Sequence, residues 1–256
     1  MFQRLKVSTE PEESPDEFYK YNLFSQTSRH PKIVKAEKEV GVHMRVLHLA
    51  PARSSGFMNA CPMASKGCEA AFLNYAGHQR KKKYNARKEK TRFFVQDRAG
   101  FMYRLAREIK SARRYSQKHG LTCGIRLNGT SDIRWELVRD QNGLNIMDWF
   151  PDVCFMDYTK IANRRNLPSN YRLTFSRSEE NEQDCYEALK NGMNIAVVFG
   201  TPYFPKRFMG LRVIDGDIHD WRYADYDDYP DERVIVGLRP KGLKGETDDT
   251  GFVFRH

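Results

Sequence analysis

The chain has 256 residues, 40% of them hydrophobic and 30% charged, with a mean hydropathy of −0.72. It has no apolar run near the roughly 18 residues of a membrane span and no charged-then-apolar leader, which argues against membrane insertion and a signal peptide. Its five cysteines form no dense disulfide framework and suit a reducing cytoplasm. The net charge of +10 is concentrated: residues 78–119 hold fifteen Lys and Arg against three Asp and Glu, a net of +12, which leaves −2 for the rest.

In chain order, residues 1–40 read as a polar arm. It is irregular around Pro11 and Pro15 and carries Phe18, Tyr19, Tyr21 and Phe24, aromatics that call for a packing partner. The first strand falls at 44–49, ends at Ala50-Pro51 and enters a Ser/Gly/Cys loop that runs to Cys68. A helix over 69–75 stops at Gly77. Residues 79–90 have no apolar stripe and read as an exposed helix or a loop. Phe93, Phe94, Phe101, Leu105 and Ile109 then recur at helical spacing, in a helix that ends at Gly120. Further strands are expected at 122–127, 153–156, 171–175, 194–199, 211–215 and 233–237, with a helix over 179–190. Seven strands, most of them separated by roughly 18–30 residues, leave room for crossover helices. The expected architecture is one α/β domain over 41–256, a parallel barrel, complete or incomplete. Residues 78–120 form a basic helical insertion within it. An open doubly wound sheet is the alternative.

Four of these strands run straight into polar clusters. The segment from Cys123 ends in Asn128-Gly129 and delivers Thr130, Ser131, Asp132, Trp135 and Glu136, as if opening a helix. The others lead to Asp157 and Lys160, to Ser176, Ser178 and Glu179, and to Asp215, Asp217, His219 and Asp220. Functional groups of α/β proteins gather at carboxyl ends of strands. Asp132, Glu136, Asp157, Lys160, Glu179, Asp217, His219 and Asp220 are therefore candidates for an acid–base or divalent-metal site. Singly, each acid reads as well as a helix cap. Cys61 and Cys68, in a glycine-flanked loop, have the chemistry of zinc or iron–sulfur ligands, but two thiols do not complete a ligand set and small packing residues are the plainer reading. Arg80, Lys81, Lys82, Lys83, Arg87, Lys88, Arg104, Arg107, Arg113 and Arg114, interleaved with tyrosines and phenylalanines, suit a surface that tracks phosphates. Nucleic acid or another polyanion is the expected partner, against the plainer reading of a solvated helix face.

The series LHLAPARSSGFMNACPMASKGC, RLNGTSDIRWE, PDVCFMDYTK, NYRLTFSRSEEN, VIDGDIHDWRY and VIVGLRPKG resembles a group of uncharacterised proteins of tailed phages and prophages, over residues 43–254. The resemblance implies a phage origin and work in the cytoplasm of the infected bacterium. The cysteine loop is similar in placement to the cluster-binding loop of radical S-adenosylmethionine barrels, with Phe72 where relatives often carry a third cysteine. Three functions are thus expected in turn. The first is a protein acting on nucleic acid or nucleotides with a site at the strand ends. The second is a degenerate iron–sulfur protein of that radical type. The third is a non-catalytic binder of nucleic acid or of a host protein. Oligomeric state is not readable from the chain.

Overall fold

The computed structural model describes residues 21–25, 31–70 and 81–255. The first twenty residues of the expected arm, most of the helix expected at 69–75, and Arg80 lie outside the described residues. Among the described residues nine strands form one sheet: β1 (Val42–Val46), β2 (Thr122–Arg126), β3 (Cys154–Thr159), β4 (Tyr171–Ser176), β5 (Asn194–Phe199), β6 (Arg207–Phe208), β7 (Leu211–Asp215), β8 (Ile235–Leu238) and β9 (Val253–Phe254). The order is β1-β2-β3-β4-β5-β8-β7-β6, parallel except for the β6–β7 hairpin, and β9 joins the end of β5 by pairing Val253 with Val198. All seven strands expected from apolar runs are present, their ends shifted by a few residues. The two-residue β6 and β9 are too short to leave a pattern.

The sheet does not close: among the described strands β1 and β6 are its edges and share no neighbour. Nor does the order turn back after β1, as in the commonest doubly wound sheets. It runs sequentially from β1 to β5, and β8 then precedes β7. The molecule is a mixed α/β fold on an open, mostly parallel sheet.

The β1–β2 connection contains the one-turn α2 (Lys66–Cys68), α3 (Lys81–Gln96) and α4 (Arg98–Lys118). The apolar stripe read as one helix is two, because Asp97 accepts the Gly100 N–H at 2.8 Å and caps a new start. Phe101, Leu105, Ile109 and Ala112 of α4 are fully buried in the main core with Ile125, Phe155, Leu173, Phe175, Ile195 and Val197 from the sheet. α6 (Glu182–Lys190) packs on β4 and β5, within the span expected to be helical. Side-chain alternation sends Val42, Met44, Val46 and Met156 to the other face, where they meet Trp221. α1 (Pro31–Val40), part of the expected arm, packs on β1. Among the described residues no helix is long and apolar enough to cross a membrane.

Two connections differ from the expected pattern of strand and crossover helix. After β2 the polar burst forms a loop with one 3-10 turn at Trp135–Leu137, and β3 reaches β4 through turns alone. The β2–β3 connection also holds the one-turn α5 (Ile146–Trp149), capped by Asn145; elsewhere in both connections side chains such as Asn128, Asp132 and Thr159 accept from the backbone.

Candidate functional site

The carboxyl ends of β1 to β4 carry a buried polar network whose hub is Asn128. Its Oδ1 accepts from Ser131 Oγ (2.9 Å), the Ile133 N–H (3.0 Å) and Trp135 Nε1 (3.0 Å), while its Nδ2 donates to the Ile133 carbonyl. Three convergent donors on one amide oxygen hold the polar loop closed. Gly129 lets that loop cross the end of β1, since a Cβ there would lie 2.7 Å from the Leu47 carbonyl oxygen. The fully buried Asp157, on β3, accepts the Asn128 N–H at 2.7 Å and the Tyr171 hydroxyl at 2.9 Å. Burial pushes its carboxyl up to about 7, against the opposing pull of Arg126.

Arg164 joins the remaining members. Its Nε donates to Glu136 Oε1 at 3.1 Å and its Nη2 to Glu136 Oε2, a two-pronged clasp, and Nη2 also reaches the Tyr171 hydroxyl at 3.3 Å. Asp132 Oδ2 accepts the Lys160 N–H at 2.8 Å. Its other oxygen, Oδ1, faces Arg164 Nη1 across 3.8 Å, and both atoms are buried without a hydrogen bond. Burial raises the Asp132 carboxyl above its ordinary range. Lys160 Nζ donates to the Ser176 carbonyl at 3.1 Å and lies 5.3 Å from the centre of the Phe252 ring, and burial lowers its pKa.

The cysteine loop docks on the same end of the sheet. Glu179 accepts from Ser65 Oγ and from the Gly67 N–H, each at 2.8 Å, which ties that loop to the segment after β4. Cys61 and Cys68 are buried together with Ala52, Val198 and Phe252. Burial pushes the Cys61 thiol up to about 12 and raises Cys68 as well, so both are neutral thiols near pH 7. Among the described residues, no three His, Cys, Asp or Glu side chains form a group that could hold a metal ion.

Of the residues singled out by sequence, Cys61, Cys68, Asp132, Glu136, Asp157, Lys160 and Glu179 are thus brought to one end of the sheet. Asp217, His219 and Asp220 are not. Asp220 belongs to the sheet's other face, paired with Arg126 at 2.8 Å, where Arg126 also lies 4.7 Å above the Tyr158 ring. Asp217 accepts the Arg239 N–H at 2.8 Å and pins the end of β7 to the end of β8. His219 Nδ1 accepts the Trp221 N–H at 3.3 Å, and burial lowers its pKa.

The family comparison covers residues 22–256 and returns the model described as Gene product 88. The chain belongs to this family of phage proteins. No curated protein and no solved structure matches it. The matched span takes in the whole strand-end network, both long basic helices and the segment around His219.

The basic residues separate into tethered and open groups. Lys81, Lys82 and Lys83 lie on α3, with side chains outside what is described. Arg87 is half-buried, with Nη1 unpartnered. Arg104 is held by Glu108 at 3.0 Å and Arg113 by Asp152 at 3.1 Å. Arg107 and Arg114 are exposed, and with Lys110 and Lys118 they make an unbroken line along α4. Tyr103, 52% exposed, begins that line. The only carboxylate on α4, Glu108, turns away to accept the Leu23 and Phe24 N–H groups, both at 2.9 Å.

Sequence reasoning missed Arg164, Tyr171, Asn128 and Trp135 as members of the network. Asn128-Gly129 reads as a turn, and Arg164 lies in a polar stretch without period. A fully buried arginine has no signature until its carboxylates are placed in space.

Proposed function

We propose that this phage protein binds nucleic acid through the exposed face of α4. The observation that carries the reading is the line Arg107, Lys110, Arg114 and Lys118, three to four residues apart on one helix face with no carboxylate among them. Eleven residues at about 1.5 Å each span about 16 Å, enough to follow several successive phosphates. Tyr103 at one end offers a ring for a base or sugar, whereas Tyr115 near the other end packs on His43 and His119, each at 4.3 Å. The strand-end network supports binding over catalysis, since Glu136, Asp157 and Glu179 each have both oxygens engaged within the protein. Its role in this reading is to lock the loops that position α3 and α4: Trp135 stacks 6.4 Å from Phe101 and lies 5.2 Å from Phe94.

The test is fluorescence anisotropy with labelled single- and double-stranded oligonucleotides across a salt series. Replacing Arg107, Lys110, Arg114 and Lys118 by Ala should weaken binding at least tenfold and reduce the log–log salt slope by about 3. Affinity that ignores both salt and these four residues sinks the reading.

A second reading rests on Asp132. Its Oδ1, buried opposite Arg164 Nη1 at 3.8 Å, is the network carboxylate oxygen left to exchange a proton with a substrate, at the sheet end where α/β sites form. Incubation of a labelled oligonucleotide with the protein and Mg²⁺ or Mn²⁺ should then give products, lost in Asp132→Asn while affinity is kept. Absence of turnover by the unaltered protein eliminates this alternative.

A further inference from the structure

At the opposite edge of the sheet lies a cavity of about 690 Å³, open to solvent between the β6–β7 hairpin and residues 218–229. That volume falls within the range of about 300–1,000 Å³ typical of small-molecule sites. Arg207 and Arg212 both line it, and they are direct cross-strand partners in the antiparallel pair. Like charges placed opposite each other on a two-residue ladder are destabilising unless something negative joins them. Arg212 has Glu232 at 2.9 Å. Among the described residues Arg207 has a hydrogen bond to the Gly210 carbonyl, at 2.8 Å, and no ion pair, and neither has the adjacent Lys206, also on the wall, an ion pair there.

The acids on the same wall are mostly engaged elsewhere. Asp225 faces Arg222 at 3.1 Å and Asp215 faces Arg239 at 3.5 Å, which leaves Asp228. His219 adds a neutral donor: its Nδ1 is occupied as an acceptor, so Nε2 carries the proton. Val213 and Ile218 supply apolar wall. Val213, on β7, is only part-buried, and Ile218, in the turn after that strand, is 52% exposed.

We infer that this groove binds a phosphate monoester of mononucleotide size, its phosphate on Lys206 and Arg207 and its apolar or aromatic body against Val213 and Ile218. Asp228 accepts from hydroxyl or amino groups of that body. A bare anion needs only the two cations; the acid and the apolar wall call for a ligand that brings donors and a flat or apolar part. The site is separate from α4 and does not depend on the nucleic-acid reading.

The experiment is isothermal titration of the full chain, at low salt, with adenosine 5′-monophosphate, inorganic phosphate and adenosine. The nucleotide should bind saturably and tighter than either fragment. Lys206→Ala with Arg207→Ala should weaken it at least tenfold with an unchanged melting temperature, since both side chains are exposed. Asp228→Asn should weaken the nucleotide and spare inorganic phosphate. Three results overturn the assignment: no saturable binding of the nucleotide, nucleotide affinity no better than that of phosphate, or affinity indifferent to the double change. The four-residue α4 variant should bind the nucleotide unaltered. If it does not, the nucleotide is being held on α4 and the groove is not its site.

Discussion

Asp157 and Asp225 are driven far from ordinary carboxyl behaviour, to about 7 and about 6, in both cases by burial first. Folding therefore favours their protonated forms. Below the unfolded-state pKa, near 4, the native and unfolded chains hold the same proton and the stabilising contribution is fully present. As pH rises through the folded-state values, the unfolded chain has already released its proton, and that contribution is lost. Asp157→Asn removes one such group while keeping an oxygen for the Asn128 N–H. Urea melts at pH 4.5 and pH 7 should show the unaltered chain losing more stability across this window than the variant. Equal losses would mean that Asp157 is ionised throughout, held so by Arg126. Sequence put Asp157 just after a strand over 153–156, whereas it lies within β3, two residues before the end of that strand. It could not show that Tyr171 and the Asn128 backbone would occupy both its oxygens, because those contacts come from neighbouring strands brought together only by the parallel register.

At the scale of elements, the basic segment is where reading by composition went furthest and also where it lost detail. The net charge located the segment, and the Phe/Leu/Ile spacing found the buried side of α4. What composition hides is that several cations are structural. Lys90 is buried and donates to the Leu23 carbonyl at 2.7 Å, and burial lowers its pKa to about 8. Arg98 lies 3.7 Å over the Phe94 ring and donates to the Phe94 carbonyl at 2.8 Å. Glu108 organises one end of this arrangement by clamping two backbone N–H groups of residues 22–25 while pairing with Arg104. That segment in turn pairs with β1 through Phe24 and Leu47 and covers the sheet edge. Glu108→Ala leaves two part-buried N–H groups without an acceptor and deprives Lys90 of its nearby negative charge. The expected cost is about 2–3 kcal/mol in urea unfolding. Chymotrypsin should then cleave after Leu23 or Phe24 under native conditions. Unchanged stability and protection would show that the edge pairing alone holds the segment.

For the molecule as a whole, the recurrence of a strand followed by a polar cluster told where acids would gather, but not which would meet. Asp157 lies within β3 and Asp217 follows β7, yet the first joins the end of β1–β4 and the second lies beyond β8, because β7 is added outside β8 and not after β5. Alternation then divides what remains: Asp157 points to the helix-covered face, and Arg126 and Tyr158 to the face covered by residues 218–228. That second face depends on Gly124 in the middle of β2. A Cβ there would lie 2.8 Å from Trp221 Cζ3 and 3.1 Å from Val42 Cγ1. Gly124→Ala must therefore lift Trp221, and with it the Arg126–Asp220 and Arg222–Asp225 pairs that follow in the same segment. The expected loss is about 1–3 kcal/mol. The emission of Trp221, read as the difference from Trp221→Phe in the same background, should shift to the red. The Asn128–Trp135 network on the opposite face should keep its protection from hydrogen exchange, since it shares no contact with Trp221. Exchange that rises on both faces together would mean that the two layers unfold as one unit, and that the strand-end network depends on the far side of the sheet as much as on its own hydrogen bonds.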